Sequence, residues 1–400
     1  MNFLETSHAK PATKVVWDEA LLKHDFGPSH PMKPLRLELT TKLMSGFGLF
    51  DLPHVSLLKP RMASNDELSD THAYEYISAV RRAAQGQKDL RRGLGSDDVP
   101  LFPSMHNTSA LICGASMLAA DSIISGEAVR AFNFSGGMHH ASKNKASGFC
   151  VYNDPAVAIH RFLDAGYSKI LYLDLDAHHG DGVQSIFWQD PRVLTISIHE
   201  SGESLFPGTG TIDEIGAKNA LGKAVNIPLP AGTADAEWLR AFYAVVPPLI
   251  EAWKPEVIVS QHGCDTHRCD PLTHLQLSIE GMRMANLKIR DLAQTYCDGK
   301  WLATGGGGYN VIDVVPRTWT SLLSVMADQE LPLDSPLPQI WQDELREAQL
   351  GQAPEKLGDG EDVWFRSWEI AQDLTRPVDR MISKLRQNIF PYYNLDPWLD

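Results

Sequence analysis

The chain has 400 residues, of which 36 are Lys or Arg and 50 are Asp or Glu, so its formal charge is −14. This length allows one large α/β domain or two smaller ones, and a hydrophobic fraction of 43% argues against disorder. An acidic chain without runs of Lys and Arg is a poor nucleic-acid binder, because phosphate contacts need clustered basic side chains.

The search for targeting segments and the spacing of the cysteines indicate the cellular compartment. No apolar run approaches the roughly 18 residues that a membrane span needs, and the start MNFLETSHAKPATK lacks the apolar core of a secretory signal. The cysteines form no Cys-x-x-Cys pair; they are Cys113, Cys150, Cys264, Cys269 and Cys297. We therefore expect a cytoplasmic, reduced protein that binds neither membranes nor nucleic acid.

Short apolar runs predict strands at intervals along the chain. The six candidates are residues 13–17, 128–134, 169–175, 193–199, 255–261 and 301–305. They are almost continuously apolar and rich in β-branched residues, which is typical of strands covered on both faces.

Amphipathic segments between these runs predict helices. One covers residues 107–125 with Asn107 as its cap, and another begins at Asn153-Asp154-Pro155, where proline occupies the first turn. Two more are predicted over about 235–252 and 278–297. Strands that alternate with helices predict an α/β fold with a mainly parallel sheet.

The sequence pattern changes after about residue 330. Prolines interrupt it at positions 332, 336, 338 and 354, and a helix-like stretch over 361–387 precedes the aromatic tail FPYYNLDPW. We expect one domain over residues 1–330. Residues 331–400 would form a C-terminal extension that packs on that domain or on a partner subunit.

Unusual polar residues cluster directly after five of the predicted strands. They are Ser135 to His140, Asp174 to Gly182, His199, Gln261 to Asp265, and four glycines followed by Tyr309. The carboxyl ends of parallel strands meet at one edge of a sheet, and ligands bind at that edge in open α/β folds. The sequence therefore predicts a single site there.

Three of these residues have the chemistry of a metal site. Asp176, His178 and Asp265 supply two carboxylates and an imidazole, a donor set without thiolates that suits Zn²⁺, Fe²⁺ or Mn²⁺. An aspartate at a strand end can instead simply cap the next helix. The segment DLDAHHGDG, however, holds three acids and two histidines, whose carboxylates would repel one another without a cation.

The tandem pair His139-His140 follows two glycines at the same edge, which favours acid/base work over an isolated polar role. Asp174 and Asp181 flank the metal residues and could each accept a ring N–H, fixing a tautomer and raising basicity.

The glycine run before Tyr309 is ambiguous by itself. Its spacing fits neither of the two common nucleotide-binding patterns. It could form a tight turn, or a flexible loop that brings the Tyr309 hydroxyl to a developing oxyanion.

Together these residues resemble the zinc-dependent histone deacetylase family of the arginase/deacetylase fold, and within it the bacterial acetoin-utilisation (AcuC-like) branch. The matching segments cover about residues 14–330 in family order; they are HPMKPLR (30–36), SDDVPLF (96–102), GGMHHA (136–141), GFCVYND (148–154), DLDAHHGDGV (174–183), ISIHE (196–200), LFPGTG (205–210), CDTHRCDP (264–271) and GGGGYN (305–310). The resemblance implies a single three-layer α/β domain. Its central, mainly parallel sheet would be flanked by helices, with the active site at the carboxyl ends of the strands.

The resemblance also implies a role for each matched residue. One catalytic metal, Zn²⁺ or Fe²⁺, would be held by Asp176, His178 and Asp265. The acid/base pair would be His139 and His140, oriented by Asp174 and Asp181, with Tyr309 polarising the substrate carbonyl. Substrate contacts would come from Asp98 at the rim and from the tunnel residues Gly148, Phe149 and Phe206. A structural K⁺ or Na⁺ would be bound by Asp174, Asp176, His178, Ser197 and the Ile198 carbonyl.

Some of these assignments have plain alternatives. Asp98 could be one charge in a solvated loop, and Phe149 and Phe206 could serve ordinary loop packing. His262 and His267 flank the ligand Asp265, where the family more often has small or apolar residues. In the related arginases an acid two residues after this ligand helps to hold a second metal, and here that position is His267. A second metal there also needs an acid four residues after the first ligand, and here that position is Gly180. We therefore expect one catalytic metal, with His267 behind the ligands or at the rim.

The implied activity is metal-dependent hydrolysis of acetyl groups from lysine side chains of proteins, with no organic cofactor. The AcuC-like branch implies metabolic substrates such as acetyl-CoA synthetase, in acetoin and acetate metabolism. The alternatives are deacetylation of acetylated polyamines or another small amide, a non-catalytic acetyl-lysine-binding scaffold, and a nucleotide-dependent oxidoreductase suggested by the glycine run. The oligomeric state stays open.

Overall fold

The centre of the protein is one sheet of eight strands, every neighbouring pair of which is parallel. The structure is a computed structural model that describes residues 10–351 and 354–399. The strands are β1 (Thr13–Val16), β2 (Val55–Leu58), β3 (Arg130–Asn133), β4 (Ile170–Asp174), β5 (Val193–Glu200), β6 (Ala224–Leu229), β7 (Val257–Gln261) and β8 (Trp301–Thr304). Their order across the sheet is β2-β1-β3-β8-β7-β4-β5-β6.

The sequence predicted six of these strands and missed the two at the sheet edges. β2 is short and only partly buried, so it lacks the continuous apolar run of a central strand. β6 lies within residues 200–232, a stretch rich in Gly, Pro and charged residues. Its asparagine and proline are tolerable because an edge strand leaves one row of backbone groups unpaired.

Eleven α-helices lie within the described residues. They are α1 (Leu35–Gly46), α2 (Asn65–Ser69), α3 (Tyr74–Ala83), α4 (Met105–Ile124), α5 (Asp154–Asp164), α6 (Asp181–Ile186), α7 (Asp235–Trp253), α8 (Ile279–Tyr296), α9 (Val315–Met326), α10 (Gln339–Glu347) and α11 (Pro377–Ile389). Helix α5 begins where the sequence predicted a helix start, and the Asn153 side chain caps it by accepting the Ala156 N–H. The cap predicted at Asn107 is wrong, since α4 begins two residues earlier and encloses that residue.

Successive side chains of each strand point to opposite faces of the sheet, so both faces pack against a hydrophobic core. On β4, Leu171 and Leu173 belong to the large cluster formed with α7, α8 and α9, whereas Ile170 and Tyr172 pack with α4 and α5 on the opposite face. The result is three layers: helices, sheet and helices. This is the architecture expected from the sequence.

Helix α4 is long and apolar enough to cross a membrane by length and composition alone. However, 72% of its apolar window is buried inside the protein, and it packs on α5 and β3. We interpret it as a core helix.

The C-terminal residues pack against the rest of the protein at two places. Helix α10 packs on α1, and the Trp341 indole N–H donates to the Leu39 carbonyl at 2.9 Å. Helix α11 packs on α7 and β6, where Asp379 forms a buried two-bond pair with Arg240 at 2.6 and 2.7 Å.

The helix expected over 361–387 is only partly correct. Residues 361–376 are irregular, and α11 covers 377–389 with proline in its first turn. The irregular segment is held instead by Arg240, which donates to the carbonyls of Arg366 and Ala371.

Candidate active site

The polar residues that follow β3, β4, β7 and β8 meet at one edge of the sheet. A small cavity there is lined mainly by residues that follow β3, β4 and β8, among them His139, His140, Asp176, His178, Gly307 and Tyr309. The strand order explains the meeting, because these four strands are neighbours in the sheet.

The three predicted metal ligands converge at the wall of this cavity, which Asp176 and His178 line. His178 Nδ1 lies 3.0 Å from Asp176 Oδ1 and 3.0 Å from Asp265 Oδ2, and all three side chains are buried. Asp176 follows β4 and Asp265 follows β7, the strand paired beside it. Within the described residues this is the group of His, Cys, Asp and Glu donors with the spacing of a metal site.

The electrostatics of the triad show two acids confined in a buried space. Burial raises the pKa of Asp265 to about 7, and the neighbouring Asp176 carboxylate adds to the rise. Burial opposes ionisation of Asp176 too, but His139 and His178 outweigh it and hold its pKa well below the ordinary value. A divalent cation would relieve the repulsion, and two carboxylate oxygens with an imidazole nitrogen suit such an ion. The residues present therefore fit a catalytic metal.

Hydrogen bonds from backbone N–H groups and from one side-chain amide orient the carboxylates of Asp176 and Asp265. Gln261 Nε2 and the Gly307 N–H donate to Asp176 Oδ2 at 2.7 and 2.9 Å, and the Ala177 N–H donates to Asp265 Oδ1 at 2.9 Å. A Cβ at Gly307 would lie 2.0 Å from Asp265 Oδ2. The glycine run therefore packs against the triad. The contribution of Gln261 was missed from the sequence.

The two histidines of the tandem pair have different carboxylate partners. His139 Nδ1 lies 2.7 Å from Asp174 Oδ2, and His140 Nδ1 lies 2.6 Å from Asp181 Oδ1. Their Nε2 atoms face each other at 3.1 Å on the cavity wall.

Their surroundings separate the two pKa values. Burial opposes charging His139, but the carboxylates of Asp174 and Asp176 outweigh it and raise its pKa to about 9. Burial and the charge on His139 lower the pKa of His140 to about 4. Near pH 7, His139 is an imidazolium and His140 a neutral base.

The loop that carries His139 and His140 is hydrogen-bonded to residues at the start of α5. The Asp154 carboxylate accepts the N–H groups of Gly137 and Met138 at 3.0 and 2.8 Å, and Asn153 Nδ2 donates to the His139 carbonyl at 3.0 Å. Gly137 has φ 91°, and a Cβ there would lie 2.3 Å from the Gly305 carbonyl oxygen. The sequence marked Asn153 and Asp154 only as a helix start, because the contact joins positions distant in the chain.

Tyr309 lines the same cavity, and its backbone is fixed from two sides. The Tyr309 N–H donates to Asp270 Oδ2 at 2.8 Å, and Arg36 donates to the Gly306 and Gly308 carbonyls at 2.8 and 3.2 Å. Burial raises the pKa of the Tyr309 phenol well above its ordinary value, so the hydroxyl keeps its proton. Neither Asp270 nor Arg36 was singled out from the sequence.

Of the residues predicted to form a tunnel, Gly148 lines the cavity, and the two phenylalanines contact rings that line it. The Phe206 ring is 5.1 Å from the His140 ring and 46% exposed, and the Phe149 ring is 5.7 Å from the Tyr309 ring. Phe149 has φ 64°, a left-handed conformation that costs energy for a residue with a side chain. Gly148 lies against the edge of the His140 ring, and a Cβ on residue 148 would be only 2.1 Å from His140 Cδ2.

Asp98 is partly buried next to the segment that carries Gly148 and Phe149. Its Oδ2 accepts the Gly148 N–H at 2.7 Å, so the carboxylate is tied to that segment.

The residues predicted for a monovalent cation are neighbours across two strands. Asp174 on β4 pairs with Ser197 on β5, and Ile198 is the next residue. Ser197 Oγ lies 2.8 Å from His199 Nδ1.

The two histidines that flank Asp265 lie outside the triad. His262 Nε2 contacts Ser260 Oγ at 2.7 Å, and burial lowers the pKa of His262 to about 3. His267 Nε2 contacts Asp359 of the C-terminal extension at 2.8 Å. His267 thus lies behind the ligand loop.

Comparison with known proteins decides the family. The sequence profile of the histone deacetylase domain matches residues 30–326. The chain belongs to the histone deacetylase family. This deacetylase is 44% identical over 302 residues to the acetoin utilization protein AcuC of Bacillus subtilis (strain 168), covering 74% of this chain and 77% of the relative. It is 39% identical over 339 residues to AcuC of Staphylococcus xylosus, covering 84% and 87%.

A solved structure agrees with this assignment. The crystal structure of the HDA15 HD domain superposes on the deacetylase with a TM-score of 0.73 at 30% identity, covering 80% of this chain and 89% of that one. The predicted resemblance, the arginase/deacetylase fold and the hydrolase activity on amide bonds are thereby confirmed. The deacetylase has a lysine-deacetylase function on an acetylated substrate, and its family implies a catalytic metal ion.

Proposed function

We propose that this deacetylase removes acetyl groups from lysine side chains within proteins, with one catalytic Zn²⁺ or Fe²⁺ held by Asp176, His178 and Asp265. One observation carries the proposal: His139, His140, Tyr309 and two members of the triad, Asp176 and His178, line the same small cavity, and Asp265 contacts His178 directly behind it. When bound, the metal supplies Lewis-acid polarisation of the acetyl carbonyl and activation of a water molecule.

The chain's own residues divide the proton chemistry. His140, neutral at pH 7 and oriented by Asp181, takes a proton from the attacking water and later gives it to the leaving amine. His139, kept charged by Asp174, stabilises the negative charge that develops beside it. Tyr309 keeps its hydroxyl proton and donates it in a hydrogen bond to the developing oxyanion.

The outer part of the site favours an aliphatic chain leading to a peptide. Phe149 and Phe206 flank the stem of the acetylated lysine beside Gly148, and Asp98 accepts backbone N–H groups of the substrate. An ionised carboxylate has about four acceptor positions, and the bond from Gly148 uses one of them. The second candidate is an acetylated polyamine, which the same chemistry would hydrolyse and whose ammonium could pair with Asp98.

The proposal extends to the surroundings of the site. A structural K⁺ or Na⁺ would be held by Asp174, Asp176, His178, Ser197 and the Ile198 carbonyl. The substrate is a metabolic protein such as acetyl-CoA synthetase, in the cytoplasm. The acetoin utilization proteins to which the chain is similar support a link to acetoin use. Residues 1–330 form the catalytic domain and 331–400 an extension packed on it.

A substrate panel tests the proposal. The apoenzyme is loaded in turn with Zn²⁺, Fe²⁺ and Co²⁺ and assayed on acetyl-lysine peptides, acetylated polyamines and longer acyl-lysine peptides. We expect the highest kcat/KM on acetyl-lysine peptides with one of these ions. A preference for acetylated polyamines would favour the second candidate, and no turnover of any amide would contradict the proposal.

A further inference from the structure

A histidine in the loop after β7 links the candidate metal site to the C-terminal extension. His267 Nδ1 accepts the Cys269 N–H at 3.1 Å, so the ring hydrogen lies on Nε2. Nε2 donates to Asp359 Oδ2 at 2.8 Å. The two side chains are only 1% and 8% exposed, so this bond is shielded from water.

Asp359 is itself held by several groups from rigid elements. Its Oδ2 also accepts the Ile279 N–H at 2.9 Å at the start of α8, and its Oδ1 lies 3.0 Å from the Arg317 guanidinium on α9. The Asp359 N–H donates to Glu280 Oε1 at 2.9 Å. A carboxylate anchored to two helices is a firm support for the histidine that donates to it.

The loop supported in this way carries two residues of the site. Asp265, the candidate ligand, lies two residues before His267. Asp270, three residues after it, donates its N–H to the His267 carbonyl at 2.8 Å and accepts the Tyr309 N–H at 2.8 Å. A shift of His267 would therefore be transmitted to both the candidate ligand and the candidate oxyanion donor.

We propose that Asp359, in the C-terminal extension, is a positioning residue of the active site that acts through His267 on the loop bearing Asp265 and Asp270. The inference rests on the proposed roles of Asp265 and Tyr309. Under this inference the C-terminal extension both packs on the catalytic domain and positions residues of the active site. Partners that orient ligand-bearing groups typically change metal affinity or activity by about 10–100-fold when removed.

The extension offers a matched control. Asp379 is also a buried aspartate in this extension, and it is paired with an arginine, Arg240, by two bonds. Its hydrogen bonds run to Arg240 and to the Asp373 N–H, away from the loop after β7. Loss of Asp379 should weaken docking of the extension without moving the site.

The test compares Asp359→Asn, His267→Gln and Asp379→Asn in the full chain. The measurements are the Kd for Co²⁺ by chelator competition, kcat and KM on an acetyl-lysine peptide, and Tm. We expect Asp359→Asn and His267→Gln each to weaken Co²⁺ binding and lower kcat by about tenfold or more, with KM nearly unchanged. The Asp359→Asn/His267→Gln double variant should be no worse than the poorer single variant. Asp379→Asn should lower Tm while Co²⁺ affinity and kcat stay near wild type.

Wild-type Co²⁺ affinity and kcat in Asp359→Asn would overturn the inference, as would losses in Asp379→Asn of the same size. If Asp359→Asn does not fold, His267→Gln decides by the same criteria. Asp265→Ala is measured in parallel. If it keeps its Co²⁺, the proposed metal site is wrong, whereas loss of Co²⁺ there with an unaffected Asp359→Asn refutes only the positioning role.

Discussion

The Nε2 atoms of His139 and His140 lie 3.1 Å apart, yet the two rings have opposite charge preferences. His139 has two carboxylates within reach, at 2.7 and 4.0 Å, and its pKa rises to about 9. His140 has one such partner and the charged His139 beside it, and its pKa falls to about 4. Titratable neighbours whose pKa values are separated in this way divide acid and base roles.

This division predicts the effect of removing each ring. His140→Ala should lower kcat by about 10²–10⁴-fold, the usual contribution of a general acid/base group. His139→Ala should cost less, because it removes a charge near the reaction and leaves the base in place. Steady-state kinetics with metal content verified for both variants measures this. A larger loss in His139→Ala would reverse the two roles.

The pH profile should show a neutral His140 over an unusually wide range. Because the pKa of His140 is lowered to about 4, the base form is populated above that value and is lost as the pH falls through it. The acidic limb of kcat/KM should therefore lie well below the ordinary imidazole value of about 6.5. Bound metal is measured at each pH, so that loss of the ion is not mistaken for protonation of the base. An acidic limb at or above 6.5 with full metal content would argue against His140 as the base.

Tyr309→Phe isolates the oxyanion donor. The substitution removes one hydroxyl and keeps the ring that packs against Phe149. We expect an unchanged Tm and metal content but a loss of about 10²–10³-fold in kcat, as for removal of one oxyanion donor elsewhere. A raised KM with normal kcat would show that the hydroxyl only binds substrate.

Two substitutions at Asp98 distinguish a peptide from a polyamine substrate. Charge-assisted hydrogen bonds contribute about 1.5–3 kcal/mol, so Asp98→Ala should lower kcat/KM on peptides by roughly one to two decades. Asp98→Asn keeps an acceptor for peptide N–H groups and for the Gly148 N–H, but loses the charge that an ammonium needs.

Peptide turnover should therefore fall less in Asp98→Asn than in Asp98→Ala, and polyamine turnover should fall alike in both. Unchanged kinetics on every substrate would mean that Asp98 is an ordinary loop charge.

Much of the fold was predictable because central parallel strands are continuously apolar. β4 and β7 satisfy this pattern, whereas β2 and β6 lie at the sheet edges and do not. The error over 361–376 has a different cause. That segment is held by a buried arginine of α7, a contact with no local signal in the sequence.

The site was predictable where its chemistry follows directly after a strand. Asp176, His178, Asp265 and the histidine pair lie at strand ends, and the parallel sheet alone brings those ends together. Asp154, Asp270 and Arg36 were missed because each acts by accepting from or donating to backbone groups of a distant loop. Such contacts depend on the packed structure and have no spacing that a sequence pattern can show.

Metal content and activity measured in the same samples test the central claim most directly. Chelation should abolish deacetylation of an acetyl-lysine peptide, and activity should return in proportion to added ion up to one per chain. Asp176→Ala, His178→Ala and Asp265→Ala should each fail to retain the ion by elemental analysis. Full activity without metal, saturation at two ions per chain, or stoichiometric ion in all three variants would contradict a single catalytic metal held by this triad.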